Sequence, residues 1–199
     1  MRADLIVDMS GSPGERFAVI DDFYRGLEYT LLHLAYSDEK PLRNQALATS
    51  KRLPANTMPE PDLDHPERHD VRLEGGMMGG RGMVMSGMMS GMAWSINGVS
   101  ATGHDMSPML TLRRNRSYIL AIKNETAWYH PIHLHGHSFR VIARNAKPTR
   151  YREWQDTVLI PPRETADIAF VADNPGNWML HCHILDHQEG GLMAVVRVT

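Results

Sequence analysis

One word of seven residues constrains this chain more than any other: His181-Cys182-His183-Ile184-Leu185-Asp186-His187. It holds the single cysteine of 199 residues and three of the eleven histidines. A lone cysteine cannot close an internal disulfide, so its role is packing or chemistry. The preceding run, Asn177-Trp178-Met179-Leu180, is apolar and reads as a strand. Side chains alternate faces along a strand. Cys182 is therefore expected on one face, and His181 and His183 together on the other. A chain built this way needs a sheet whose two faces serve two different sites.

About fifty residues upstream lies His130-Pro131-Ile132-His133-Leu134-His135-Gly136-His137. His133 and His135 are expected to share a face. His130 is expected to precede the alternation, behind Pro131, and to turn elsewhere. A thiolate with two imidazoles and a weak axial position is the blue-copper ligand set, and Cys182, His187 and His130 supply it. His133, His135, His181 and His183 remain as four imidazoles for a different metal centre. Any one histidine could be a surface or core residue. Seven of the eleven falling in two short words argues for metal.

These words resemble the two carboxy-terminal copper signatures of multicopper oxidases in ligand type, spacing and order. The resemblance implies a Greek-key cupredoxin β-sandwich and three kinds of copper site. His130, Cys182 and His187 would bind type 1 copper, His133 type 2 copper, and His135, His181 and His183 the type 3 pair. Electrons would pass from a small reductant, Cu(I) or a phenol, through Cys182 into His181 and His183, and on to O2. His137 fits no ligand position. The family's cluster needs eight histidines, four of them from two His-X-His words in a first domain. Outside 133–137 and 181–183 this chain has no such pair. The sequence thus resembles the carboxy-terminal part of a longer oxidase, needing amino-terminal cupredoxin domains as partners and unable alone to reduce O2 to water.

Several positions depart from the family pattern. The axial position of type 1 copper falls on Leu192, with Met193 turned away by alternation. A non-coordinating axial residue favours Cu(I) and a high potential. Gln188 stands where several bacterial members carry a proton-delivering glutamate, with Glu189 beside it. Asp105 and Asp156 match positions that contribute to a substrate copper site in cuprous oxidases. Asp105 also suits a turn cap, and Asp156 suits a hydrogen bond to a ligand histidine.

Composition is that of a soluble globular chain, 42% hydrophobic and 22% charged with a net charge of −2. Nothing in it points to nucleic acid, no run approaches a membrane helix, and no signal peptide is visible. Residues 1–37 carry three short strand patterns, at Leu5–Met9, Phe17–Ile20 and Tyr29–Tyr36. They resemble the last strands of a preceding cupredoxin domain. Proline-rich residues 38–66 read as linker, with His65 and His69 as solvated histidines at its end. The carboxy-terminal domain is expected over 67–199. It contains a glycine- and methionine-rich insertion at 77–92 with half of the fourteen methionines. That insertion suits either thioether capture of Cu(I) or a flexible apolar loop. From residue 93 onward, short strands between turn signals indicate an all-β sandwich. Gly190-Gly191 leaves room for a short helix or turn after His187.

Three functions follow: part of an oxidase that is laccase-like or a cuprous oxidase, an electron-transfer cupredoxin, or a methionine-rich copper-binding module. The resemblance implies a periplasmic or secreted parent.

Overall fold

A computed structural model describes residues 7–43, 45–49, 52–76, 93–101 and 107–199. The chain divides into two compact units, Ala3–Asn56 and Thr57–Thr199. The boundary falls inside the stretch expected as linker. Its second half belongs to the larger unit, where Glu60 pairs with Arg140 and Asp62 N–H donates to Ser117 Oγ (2.8 Å). The methionine-rich stretch 77–92 and Asp105 lie outside the described residues.

The smaller unit is a hairpin of β1 (Arg16–Asp21) and β2 (Tyr29–Ala35), paired antiparallel. Phe17, Val19, Ile20, Leu31 and Leu32 are all exposed. The strand expected at Leu5–Met9 is not formed over its described residues, Val7–Met9. There Asp8 is drawn to Arg43 and to the Leu47 N–H (2.7 Å).

The larger unit is a β-sandwich. One sheet is built from β3 (Glu67–Gly75), β4 (Trp94–Ile96), β6 (Ser117–Asn124), β8 (Phe139–Arg144), β9 (Lys147–Pro148), β10 (Trp154–Gln155) and β12 (Thr165–Val171). The other holds β5 (Pro108–Leu112), β7 (His130–Leu134), β11 (Thr157–Ile160), β13 (Gly176–Cys182) and β14 (Met193–Val198). The first runs β10-β8-β12-β6-β3-β4, with β9 also paired to β8; the second runs β11-β7-β13-β14-β5. Most pairs are antiparallel, whereas β3 with β6 and β14 with β5 are parallel.

Period-two burial explains the packing. Ile132 and Leu134 of β7, Leu180 and Cys182 of β13, and Val158 and Ile160 of β11 turn inward from one sheet. Val71, Leu73, Leu120, Ile122, Val141, Ile168 and Phe170 face them from the other. Each such side chain, fully buried, contributes roughly 1.5–3 kcal/mol. The core therefore fixes the register of β7 and β13, because a slip of one residue would send their inward faces out.

His69 departs from its expected solvated state. It lies in β3, half-buried and stacked on Tyr118 with ring centroids 5.8 Å apart. His65 is exposed. The short helix α1 (Leu185–Glu189) contains His187 instead of following it, and Gly190 closes its carboxy-terminal end.

Candidate metal centre

The strands β7 and β13 lie side by side and antiparallel, with Leu180 opposite Leu134, His181 opposite His133 and Cys182 opposite Ile132. Alternation then sorts their side chains. Leu180 and Cys182 face the core, and His181 joins His133 on the reverse face.

His130 does not stand before the alternation as expected. It is the first residue of β7 and shares the buried face with Ile132 and Leu134. Proline removes an N–H but keeps a carbonyl. Pro131 uses that carbonyl, accepting from His183 N–H at 2.8 Å, so the strand runs through it. The two strands thus have the same design: one inward ligand each, and imidazoles on the outer face.

Inside, His130 Nδ1 and His187 Nδ1 each lie 3.7 Å from Cys182 Sγ and 3.1 Å from one another. All three residues are buried. Among the described residues this is the one group of three or more histidine, cysteine or carboxylate ligands whose atoms converge within 4.8 Å. The spacing fits a first-row metal ion. Bonds of about 2.0 Å to nitrogen and about 2.3 Å to sulfur, splayed by roughly 120°, separate sulfur from nitrogen by about 3.7 Å. Two imidazoles and one thiolate in such an arrangement make a trigonal set that resembles a type 1 copper site.

Burial keeps the group uncharged without metal. It depresses His130 to about 4, helped by the nearby His187, and lowers His187 against the opposing pull of Asp186. It pushes the Cys182 thiol up to about 11, partly offset by the Ile184 N–H at 3.4 Å from Sγ.

The wall of this site comes from residues the sequence did not single out. Trp94 packs on His187 (centroids 4.2 Å) and edge-on to His130 (5.1 Å). Trp128 approaches His187 edge-on at 6.2 Å and is half exposed. His130 Nε2 lies 2.8 Å from Thr126 Oγ1. The Trp94 and Trp128 contacts span distant segments, whereas Thr126 lies only four residues before His130. Leu192 is fully buried in the core with Cys182, and its carbonyl accepts from Cys182 N–H at 3.2 Å. Met193 is paired opposite His181, one step away from Leu192's face.

Outside, four imidazoles gather. Ring centroids are 4.8 Å for His133–His135, 5.0 Å for His133–His183, 5.1 Å for His135–His181 and 5.2 Å for His181–His183. His135 Nε2 and His181 Nε2 approach to 3.0 Å. Burial lowers the His135 pKa, with the three neighbouring imidazoles adding to the shift. His183 is exposed, so the group opens to the surface of the unit. His181 Nδ1–H donates to the Cys182 carbonyl (2.9 Å) and His133 Nδ1–H to the Asp156 carbonyl (2.6 Å). Both rings thereby turn Nε2 toward the cluster.

Asp156 was expected to hold a ligand histidine with its carboxylate. The backbone carbonyl makes that contact, and the carboxylate accepts from the Thr157 hydroxyl (3.1 Å). His137 is apart from the cluster, packed on Phe170 and Trp178, with Nδ1–H donating to the His135 carbonyl (3.2 Å). Gln188 and Glu189 lie on α1, so strand alternation does not govern their directions.

The sequence profile of the family described as multicopper oxidase matches residues 81–199. The chain belongs to the multicopper oxidase family. It is 36% identical over 110 residues to the multicopper oxidase MmcO of Mycobacterium tuberculosis, covering 55% of this chain and 21% of that protein. Among solved structures it is similar to a multicopper oxidase of Pseudomonas thermotolerans, at 28% identity and a TM-score of 0.70, over 94% of this chain and 41% of that one. A second, from Pseudomonas parafulva, is 36% identical with a TM-score of 0.59, over 85% of this chain and 37% of that one. The chain therefore spans about a fifth of the curated multicopper oxidase and about two fifths of the solved ones.

Proposed function

We propose that this chain is the copper-bearing carboxy-terminal part of a multicopper oxidase that couples one-electron oxidation of Cu(I) or a phenol to reduction of O2 to water. One observation carries the reading: Cys182 closes the inner ligand group and is bonded directly to His181 and His183 of the outer one. Copper held by His130, Cys182 and His187 would supply one-electron redox chemistry at the inner site.

The protein's own groups prepare that site. The core excludes water from Cys182, Trp94 covers both imidazoles, and the β7–β13 pairing sets His133 and His181 side by side outside. His133, His135, His181 and His183 form half of an eight-histidine cluster. The remaining ligands, and partner strands for the exposed hairpin β1–β2, would come from amino-terminal cupredoxin domains. The short span relative to full-length relatives supports this division.

An electron-transfer cupredoxin would need only the inner three ligands, and it leaves four gathered imidazoles without a purpose. For the reductant, the methionine-rich stretch favours Cu(I). Its flanking residues Gly76 and Ala93 are joined by a Gly76 N–H to Ala93 O bond (3.0 Å), next to Trp94.

The test is to load the 199-residue chain with Cu(II) and record absorption and O2 uptake with a phenol as electron donor. A blue thiolate-to-copper band without four-electron O2 reduction is expected. No blue band at full copper loading would overturn the inner site. Sustained O2 reduction to water would overturn the need for further domains.

A further inference from the structure

His130 is useful as an inner ligand only if its Nδ1 carries a lone pair. The atoms around its other nitrogen decide that. We propose that Asn124 and Thr126 form a buried hydrogen-bond relay that holds the hydrogen of His130 on Nε2, so that Nδ1 is presented to Cys182 and His187 before any metal arrives.

The order of protons can be followed from one end. The side-chain nitrogen of Asn124 lies 2.7 Å from the Trp128 carbonyl, 2.9 Å from that of Pro161 and 3.1 Å from that of Ile160. Carbonyl oxygens only accept. A flipped amide would set oxygen against three oxygens, so Nδ2 must occupy this end. Asn124 Oδ1 is then the accepting end. It takes the Thr126 N–H at 2.9 Å and the Thr126 hydroxyl at 2.8 Å.

A hydroxyl has one hydrogen and two lone pairs. With its hydrogen on Asn124, Thr126 Oγ1 accepts from elsewhere: the Trp128 N–H at 3.1 Å and His130 Nε2 at 2.8 Å. The Trp128 carbonyl is a longer alternative for that hydrogen, at 3.3 Å. His130 is therefore the donor, and its hydrogen is on Nε2. The opposite tautomer would forfeit the hydroxyl bond to Asn124. It would also place an N–H on the side where Cys182 Sγ and His187 Nδ1 converge.

Asn124, Thr126 and His130 are all fully buried, so water does not compete for these bonds. Such a buried network is high-stakes, because each unmade bond has no substitute. The same network has a mechanical side. Asn124 ends β6, His130 begins β7, and the Asn124 amide ties the connection between them to the end of β11. Asn124 and Thr126 are thus positioning residues for a ligand. The ring orientation is set by the protein and not by the ion.

The inference rests on the copper reading for its purpose, but its test does not need copper. Label the metal-free 199-residue chain with 15N-histidine and read the ring nitrogens of His130 by NMR at about pH 7.5, far above the His130 pKa of about 4. The expected result is hydrogen on Nε2 and a bare Nδ1. Hydrogen on Nδ1 would overturn the relay, and this measurement requires no variant. Thr126→Val keeps the volume and removes the hydroxyl. It should lose the tautomer preference and weaken Cu(II) binding about 10–100-fold, the usual effect of removing a hydrogen-bond partner from a ligand histidine. Thr126→Ser should restore both to within about twofold of the original. A Thr126→Val chain with unchanged tautomer and unchanged copper affinity would equally overturn the proposal. A chain that takes up no copper yet holds hydrogen on His130 Nε2 would support the relay while defeating the copper reading.

Discussion

His133 lies directly opposite His181 across the antiparallel pair β7–β13, and one step along the same ladder Ile132 lies opposite Cys182. The ladder therefore holds the outer imidazoles and the inner thiol in one rigid frame. Moving Cys182 without moving His181 would require breaking the pairing that the core enforces. The two ligand groups are adjustable only from their far sides: Thr126 and Trp94 for the inner one, and the turn after His135 for the outer one.

The ligand assignment predicts opposite results for two substitutions. Cys182→Ser removes the charge-transfer donor and should abolish the blue absorption of the copper-loaded chain. His137→Ala should keep that band, because His137 contacts the His135 carbonyl, Phe170 and Trp178 and no inner ligand. It should lower stability by about 1–3 kcal/mol through lost packing and one lost bond. Absorption spectra at matched copper content decide it, and loss of the band in His137→Ala would refute the assignment.

Copper uptake should release one proton per ion at pH 7. Burial holds the Cys182 thiol up at about 11, so it is protonated there, while His130, at about 4, is already bare. Only the thiolate binds. Apparent affinity should then rise about tenfold per pH unit between roughly pH 7 and 9. Calorimetry in buffers of different ionisation enthalpy counts the protons. None, or two, would contradict these protonation states, and Cys182→Ser should release none.

The metal-free chain should be most stable between about pH 6.5 and 9. His130 falls from 6.5 to about 4 on folding. Between those values the unfolded chain binds a proton that the folded chain refuses, so stability drops as pH falls. The loss from this group reaches roughly 3 kcal/mol. Burial of His135, His137 and His187 acts in the same direction. Cys182 works at the other end: its pKa rises from 9.0 to about 11, so the unfolded chain sheds a proton first and stability falls again above 9. Urea unfolding at pH 5, 7.5 and 10 measures the profile. Equal stability at pH 5 and 7.5 would show that these imidazoles are not buried in the neutral form.

The sequence made the two-faced design visible at Cys182, because strand alternation is a local rule that one cysteine between two histidines states plainly. At His130 the same alternation extends through Pro131, one residue further than expected, and turns the ring inward. A strand needs the proline carbonyl as much as an N–H, and Pro131 supplies it to His183. The all-β sandwich was legible from short apolar runs between turns. The strand expected at Leu5–Met9 is not formed over its described residues, Val7–Met9, since a strand depends on a partner that local pattern cannot supply. Trp94, Asn124 and Thr126 left no mark in the sequence for a related reason. Trp94 reaches His130 and His187 from β4, and Asn124 reaches the end of β11, contacts that only the folded chain makes. Thr126 lies only four residues before His130, but no spacing rule aims a threonine in a connection at a ring.

Gly136 offers the sharpest test of how the outer imidazoles are held. It sits between His135 and His137 with φ at +69°, a left-handed conformation that suits glycine. A Cβ there would lie 2.4 Å from Trp178 Cδ2 and 2.5 Å from Cε3. The indole has little room to retreat, since its Nε1–H is bonded to the Asn174 carbonyl (2.8 Å) and the Asn174 amide returns to the Gly136 carbonyl (3.2 Å). Gly136→Ala should therefore cost about 1–2 kcal/mol for the backbone and about 1–3 kcal/mol more for the clash. The damage should stay at the His135 end of β7, leaving the blue band of the distant His130 site in the folded protein. Trp178→Ala removes the clash but not the backbone strain. In the double variant Gly136→Ala should then cost only its backbone share, a coupling of about 1–3 kcal/mol between the two positions. Additive losses in urea unfolding would mean that Trp178 does not press on this turn. Loss of the blue band in folded Gly136→Ala would mean that the two ends of β7 are not independent.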